Sequence, residues 1–272
     1  MMEHNPQTYH MAAIIPVAGQ PLDYNMPWDD CLMPIARDYM LIERAVHTAA
    51  MSGCNTIWVV MYRESQPLIK KKLGNWIYDP FHVWDKEMPF MHKREVPIYY
   101  VAINPKDRKR RDSQAWSVLY GAKVAHRVSL KISKWVVPSR FLVVSPYGII
   151  DESVIEKARP NFRLNAQEIL FTHNGKSFAD NTHLPFTFTG DHYNACNRYF
   201  KDIYSGCDVD KTFADVFSPI NTNDYLKQDA GWFHKVDSWE AYQSFLKSPE
   251  AAAITRPKYL VTHKWRGFIK DK

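Results

Sequence analysis

The segment that most constrains this chain lies near its start. An apolar run, Met11-Ala-Ala-Ile-Ile-Pro-Val-Ala18, turns at Gly19, and after Leu32-Met-Pro-Ile35 and a helical stretch comes a second β-rich run, Asn55-Thr-Ile-Trp-Val-Val-Met-Tyr62. Between them Met40, Leu41, Ile42, Ala45, Val46, Ala49 and Ala50 recur at helical spacing, with Gly53 as the stop. A strand, a helix and a second strand in that order form a parallel crossover unit. Such units leave a crevice at the carboxyl ends of the strands, where nucleotides bind.

The alternation continues. β-rich runs at Pro97–Ile103, Arg140–Ser145 and Glu168–Thr172 are interleaved with helical patterns at Ser65–Leu73, Ser113–His126, Asp151–Arg159, Asp191–Tyr204, Lys211–Phe217 and Trp239–Leu246. An aromatic-rich insertion runs from Trp76 to Met91, and no internal repeat interrupts the pattern. The predicted architecture is α/β: a Rossmann-like, mostly parallel mixed sheet with helices on both faces. With 272 residues, 46% of them hydrophobic, one domain with a large core is expected. Residues 11–150 would form a nucleotide-binding half and 151–272 an acceptor or sugar half.

Several classes drop out. No apolar run approaches the roughly 18 residues a membrane span needs, and Met1-Met-Glu-His-Asn-Pro does not read as a signal segment. A cytoplasmic protein is expected. Cys31, Cys54, Cys196 and Cys207 are scattered and lack metal-ligand spacing, so reduced, buried thiols are expected. The chain has no nucleophile elbow, no Walker-type loop and no His-Glu-x-x-His pair, which argues against α/β-hydrolase, P-loop and zinc-protease chemistry. A net charge of +6 favours contact with phosphates, whether of a nucleotide or of a polymer.

Four segments follow one another in order: Ile14-Ile-Pro-Val-Ala-Gly19 with Leu32-Met-Pro-Ile35, Ser113-Gln-Ala-Trp-Ser-Val-Leu-Tyr-Gly121, Phe141-Leu-Val-Val144, and Val236-Asp-Ser-Trp-Glu-Ala-Tyr242. Together they resemble segments of the sugar-nucleotide pyrophosphorylases and related nucleotidyltransferases, whose fold is glycosyltransferase-A-like. The resemblance implies a base-and-phosphate loop that includes Pro16, Ala18 and Gly19, and a second nucleotide-binding segment that starts at Ser113 and Gln114. Asp237, in the last of these segments, reads as a carboxylate able to bind Mg2+ or Mn2+ together with water and phosphate oxygens, or else as a structural residue in a turn.

The departures fall on groups that handle phosphate and metal. After Gly19 stands Gln20-Pro-Leu-Asp-Tyr24 where the family is Gly-rich, and Pro21 has no amide proton to offer. Asp29-Asp30 replace a Pro-Lys pair, and Ser145-Pro-Tyr-Gly148 leaves no carboxylate after the fourth strand. The basic run Lys106-Asp-Arg-Lys-Arg-Arg111 reads as a loop able to compensate, with Arg108, Lys109 and Arg110 on phosphate and Arg111 as a catalytic candidate, or else as a solvated loop. With Trp76, Tyr78 and Trp84 the same run could hold a nucleic acid. Asp151 is a second catalytic candidate, with helix N-cap as its plainer role. Asp180, His183, Asp191 and His192 read as a polar cluster suited to a metal or sugar hydroxyls, or to a helix start.

The leading expectation is joining of an NTP to a sugar 1-phosphate. The alternatives are a glycosyltransferase using a nucleotide-sugar donor, acting even on modified DNA, and a non-catalytic nucleotide-binding or structural protein.

Overall fold

The computed structural model describes residues 9–19, 24, 26–83, 94–203 and 212–257, with the backbone alone at 109–111. The chain opens with β1 (Met11–Pro16), the short pair β2 (Pro34–Ala36) and β3 (Tyr39–Met40), α1 (Leu41–Met51) and β4 (Thr56–Met61). Next come α2 (Gln66–Leu73), β5 (Trp76–Tyr78), α3 (Pro80–Val83), β6 (Glu95–Ala102), α4 (Pro105–Arg111) and α5 (Gln114–Ile132). The second half holds β7 (Arg140–Val143), β8 (Gly148–Ile150), α6 (Glu152–Leu164), β9 (Ile169–Thr172), β10 (Phe186–Thr189) and α7 (Gly190–Ile203). It ends with α8 (Phe213–Val216), β11 (Leu226–Asp229), β12 (Phe233–Lys235), α9 (Trp239–Leu246) and α10 (Pro249–Ala253).

Eight strands form the central sheet in the order β11-β9-β10-β7-β1-β4-β6-β5. β1 runs parallel to both β4 and β7, and β4 runs parallel to β6, as the first run of the sequence requires. β10 is antiparallel to both its neighbours, and β5 is antiparallel to β6. A central parallel strand is covered on both faces, which is why every residue of β1 is apolar and buried. Alternation along it feeds two cores: Ala13 and Ile15 pack with α1 and α6, whereas Ala12 and Ile14 pack with α5 and α7. Gly121 lets α5 settle close, since a Cβ there would lie 2.6 Å from a methyl of Val60.

Two ionic locks close the amino end of the sheet. Arg140, the first residue of β7 and 1% exposed, donates to Glu168 at 3.0 Å and to the carbonyls of Phe162, Asn165, Ala166 and Gln167 at 3.0–3.2 Å. Arg159 pairs with buried Asp79 at 2.5 Å and donates to the carbonyls of Ala50 and Met51, which satisfies acceptors left open at the end of α1. Arg94 reaches the same Asp79 oxygen at 3.2 Å.

Some expected boundaries shift. The basic run is helix α4 rather than a loop, because Asn104 caps it, accepting from the Lys106 amide, and Pro105 starts it. Part of the aromatic insertion is edge strand β5, while Trp84 lies outside the described residues. The helix expected at Lys211–Phe217 shortens to α8. Three of the four cysteines are described, and all are buried free thiols. Among the described residues no helix is long and apolar enough to cross a membrane.

Candidate functional site

The crevice at the carboxyl ends of β1, β4 and β7 is built from its first lip outward. Beyond β1 the amides of Val17 and Ala18 both donate to the Val60 carbonyl, at 2.8 and 3.1 Å, so the chain follows β4 before it turns. At Gly19 φ is +79°, and a Cβ there would stand 2.2 Å from the Ser113 carbonyl carbon. Only glycine meets both conditions. The turn therefore lies directly on the start of α5, and Ser117 Oγ fastens it by donating to the Ala18 carbonyl at 2.7 Å. Ser113 caps α5 by accepting from the Trp116 amide.

Tyr62, just past β4, closes this side. Its hydroxyl accepts from the Gly19 amide at 2.9 Å and donates to the Asp112 carboxylate at 2.7 Å. Burial, reinforced by the bond to Asp112, raises the phenol well above its ordinary pKa. The Arg108 guanidinium stacks over the Tyr62 ring at 3.9 Å, pairs with Glu64 and approaches Asp112 at 4.0 Å. Arg108 is thus already engaged. Lys109, Arg110 and Arg111 sit on α4, and their side chains lie outside the described residues, as do Pro21 and Asp23 of the first loop.

The opposite wall is a chain of polar side chains. Gln114 Nε2, at the first turn of α5, donates to Ser145 Oγ at 3.1 Å and to the Pro16 carbonyl at 3.4 Å. Ser145 Oγ lies 3.0 Å from His183 Nδ1, and His183 Nε2 faces Asp237 Oδ2 at 3.8 Å. Lys235 pairs with that same oxygen at 2.6 Å. Gly148 admits this arrangement, since a Cβ would fall 2.2 Å from the His183 carbonyl oxygen. Burial lowers the His183 pKa despite Asp237 beside it, and His183 with Lys235 holds the Asp237 carboxyl at about 2. Nearby, burial and the neighbouring Asp29 raise Asp30 to about 6, while Asp29 accepts from Ser65 at 2.6 Å.

Sequence spacing grouped other residues that the fold separates. Asp180 closes a capping box with Ser177, His192 stacks on Tyr225, and Asp191 lies in the first turn of α7, so only His183 of that quartet joins the wall. Neighbours along the chain diverge here because strand β10 carries the segment away between β9 and β7. Asp151 is the N-cap of α6, accepting from the Ser153 amide at 2.9 Å. Trp76 and Tyr78 pair with the amino end of β6, opposite Pro97 and Glu95, whereas basic α4 follows its carboxyl end. Five residues of strand, about 16 Å, divide them, so their proximity in sequence is not proximity in the fold.

A divalent ion can be tested against these groups. The stretch Ser145-Pro-Tyr-Gly148 holds no carboxylate where the resemblance asks for one, and Asp237 is already neutralised by Lys235. Among the described residues no group of three or more His, Cys, Asp or Glu is arranged to hold a metal. The wall therefore does not fit a resident Mg2+ or Mn2+, which prefers several oxygen ligands around one point.

No protein-family model matches this chain, and no curated protein matches it in sequence. Solved structures do match. A Bacillus anthracis protein assigned as a glucose-1-phosphate thymidylyltransferase, solved with sucrose, is similar over 92% of this chain and 98% of its own, at 10% identity and a TM-score of 0.61. A UDP-glucose pyrophosphorylase complexed with UDP-glucose is similar over 90% of this chain and 98% of its own, at 12% identity and a TM-score of 0.53. Likeness at such identities establishes the fold, a mixed α/β sheet of the nucleotide-diphospho-sugar transferase type.

Proposed function

We propose that this protein is a transferase that handles a nucleotide sugar at the carboxyl ends of β1, β4 and β7, joining an NTP to a sugar 1-phosphate. The seam between Gly19 and Ser113, too tight for a single methyl group, carries this reading. It holds the first lip against the start of α5, and a helix start offers unpaired amides and a positive dipole end to phosphate. In this reading Pro16, Ala18, Gly19, Ser113 and Gln114 line the nucleotide. Lys109 and Arg110 on α4 neutralise phosphate charge, joined by Arg108 only if phosphate displaces Glu64 from it, and Arg111 supports the charge that develops at the attacked phosphorus. Residues 151–272 contribute the sugar side, with Asp237 and Lys235 at its edge.

One bond favours a second reading. The Gly19 amide is spent on Tyr62, which weakens any grip on a triphosphate. Glycosyl transfer from a nucleotide-sugar donor needs no such grip.

The test offers the purified chain each NTP, as its Mg2+ complex, with a range of sugar 1-phosphates and measures pyrophosphate release. Nucleotide-sugar hydrolysis is followed in parallel. Pyrophosphate release supports the first reading, and donor hydrolysis without it selects the second. A ligand at 100 times its Kd adds about 2.7 kcal/mol to stability. A panel of nucleotides and nucleotide sugars that leaves Tm unmoved therefore sinks both readings and points to a structural protein that kept only the fold.

A further inference from the structure

We propose that Gln114 determines ligand specificity: a hydrogen-bonded chain through Ser145 and His183 locks its carboxamide in one orientation, with Oε1 presented to a hydrogen-bond donor on the ligand. The ligand half of this inference rests on the nucleotide-sugar reading, whereas the lock rests on geometry alone.

The direction of each bond follows from groups that can act in one way only. The Pro16 carbonyl only accepts, so Gln114 must turn its NH2 toward it; the reversed amide would set two acceptors against each other at 3.4 Å. The second hydrogen of that NH2 goes to Ser145 Oγ at 3.1 Å, and the Tyr147 amide donates to the same oxygen at 3.3 Å. Ser145 has one proton, and its remaining partner is His183 Nδ1 at 3.0 Å. Nδ1 must then be bare, which puts the ring proton on Nε2, the nitrogen that faces the Asp237 carboxylate at 3.8 Å. Asp237 is an acceptor when ionised, and Lys235 keeps it so. Both ends of the chain thus demand the same polarity.

The chain is also shut off from exchange with water. Gln114, Ser145 and His183 are 5%, 4% and 6% exposed, and the Tyr147 ring meets the imidazole edge-on at 5.9 Å. A buried amide that lost its partners would incur their full desolvation cost, so the orientation is not free to flip. Gln114 ties the carboxyl ends of β1 and β7 together through both hydrogens of Nε2, which leaves Oε1 as the amide atom available to a ligand donor. A base N–H and a sugar O–H are both donors of the kind it would take. Ser145 and His183 are positioning residues that act through Gln114.

Two measurements on the full chain test this. In the ligand-free protein, long-range 1H–15N correlation of His183 is expected to show a bare Nδ1 and a protonated Nε2; the opposite tautomer overturns the lock. Binding of the common nucleoside diphosphate-glucoses is then compared among wild type, Gln114→Met, Ser145→Ala and the double variant, with Tm measured to confirm folding. Each single variant is expected to weaken binding about tenfold, the scale of one hydrogen bond. The double variant should lose no more than Gln114→Met alone, because Ser145 acts through Gln114. The nucleoside monophosphate and glucose 1-phosphate, tested separately, show which half loses affinity and so carries the donor. Additive losses, or wild-type affinity in Gln114→Met, overturn the specificity role while leaving the nucleotide-sugar reading intact. If the wild type binds none of these probes, that reading fails and the specificity role fails with it, even where the tautomer is as expected.

Discussion

The two ends of the central sheet are built from opposite materials. At the amino end, Arg140 and Arg159 are buried and their guanidinium groups are matched by carboxylates and carbonyls. At the carboxyl end the buried groups are mostly neutral, Gln114, Ser145 and His183, and the charges, Asp237 and Lys235, lie at the rim. A buried ion pair tolerates the loss of neither partner, so it suits a fixed foundation. A chain of neutral bonds costs less to rearrange around a ligand. The contrast teaches where to look for function: these buried ion pairs hold the amino end together, and the proposed binding site lies at the end without them.

The largest effect tests the foundation. Arg140→Met should cost about 3–5 kcal/mol in chemical denaturation, since Glu168 and four carbonyls would lose their donor inside the protein. A loss below about 1 kcal/mol, the usual worth of an exposed ion pair, would break the contrast. Gly19→Ala should cost about 2 kcal/mol through its left-handed backbone, and more as Cβ meets Ser113. Its sharper signature is loss of the thermal shift from nucleotide sugars; a variant that keeps that shift removes the seam from the binding site.

The smallest effect concerns pH. Burial and Asp29 raise Asp30 to about 6 in the folded chain, above its ordinary 3.8, so the folded state holds that proton more tightly than the unfolded one. Stability from this group is full below pH 3.8 and declines as pH rises through 6. Asp30→Asn should therefore raise Tm slightly above pH 6 and make no difference at low pH, as followed by thermal melts across that range. An equal shift at every pH would mean that charge is not the cause.

Much of the fold was legible in the sequence, and the reason is local. β1, α1, β4 and α9 bury continuous or periodic apolar faces, and the caps at Asp151 and Ser113 announce their helices. β10 was not legible, although Phe186 and Phe188 alternate with threonines, because its meaning depends on antiparallel pairing with distant β7. β11 and β12 are short and polar, which mutes any periodic signal. At the site, the lip at Gly19 and the position of Gln114 were readable from order along the chain. Ser145 registered only as part of a stretch without a carboxylate. Its partner His183 stood in the wrong company, since the residues flanking it in sequence turn to other elements.

The outermost strands of the described sheet are brief. β5 has three residues, and β11, only four long, sets Lys227 and Asp229 on its exposed positions. Unpaired strand rims are the usual route by which sheets recruit one another into fibres, and brief, charged rims give an incoming strand little to pair with.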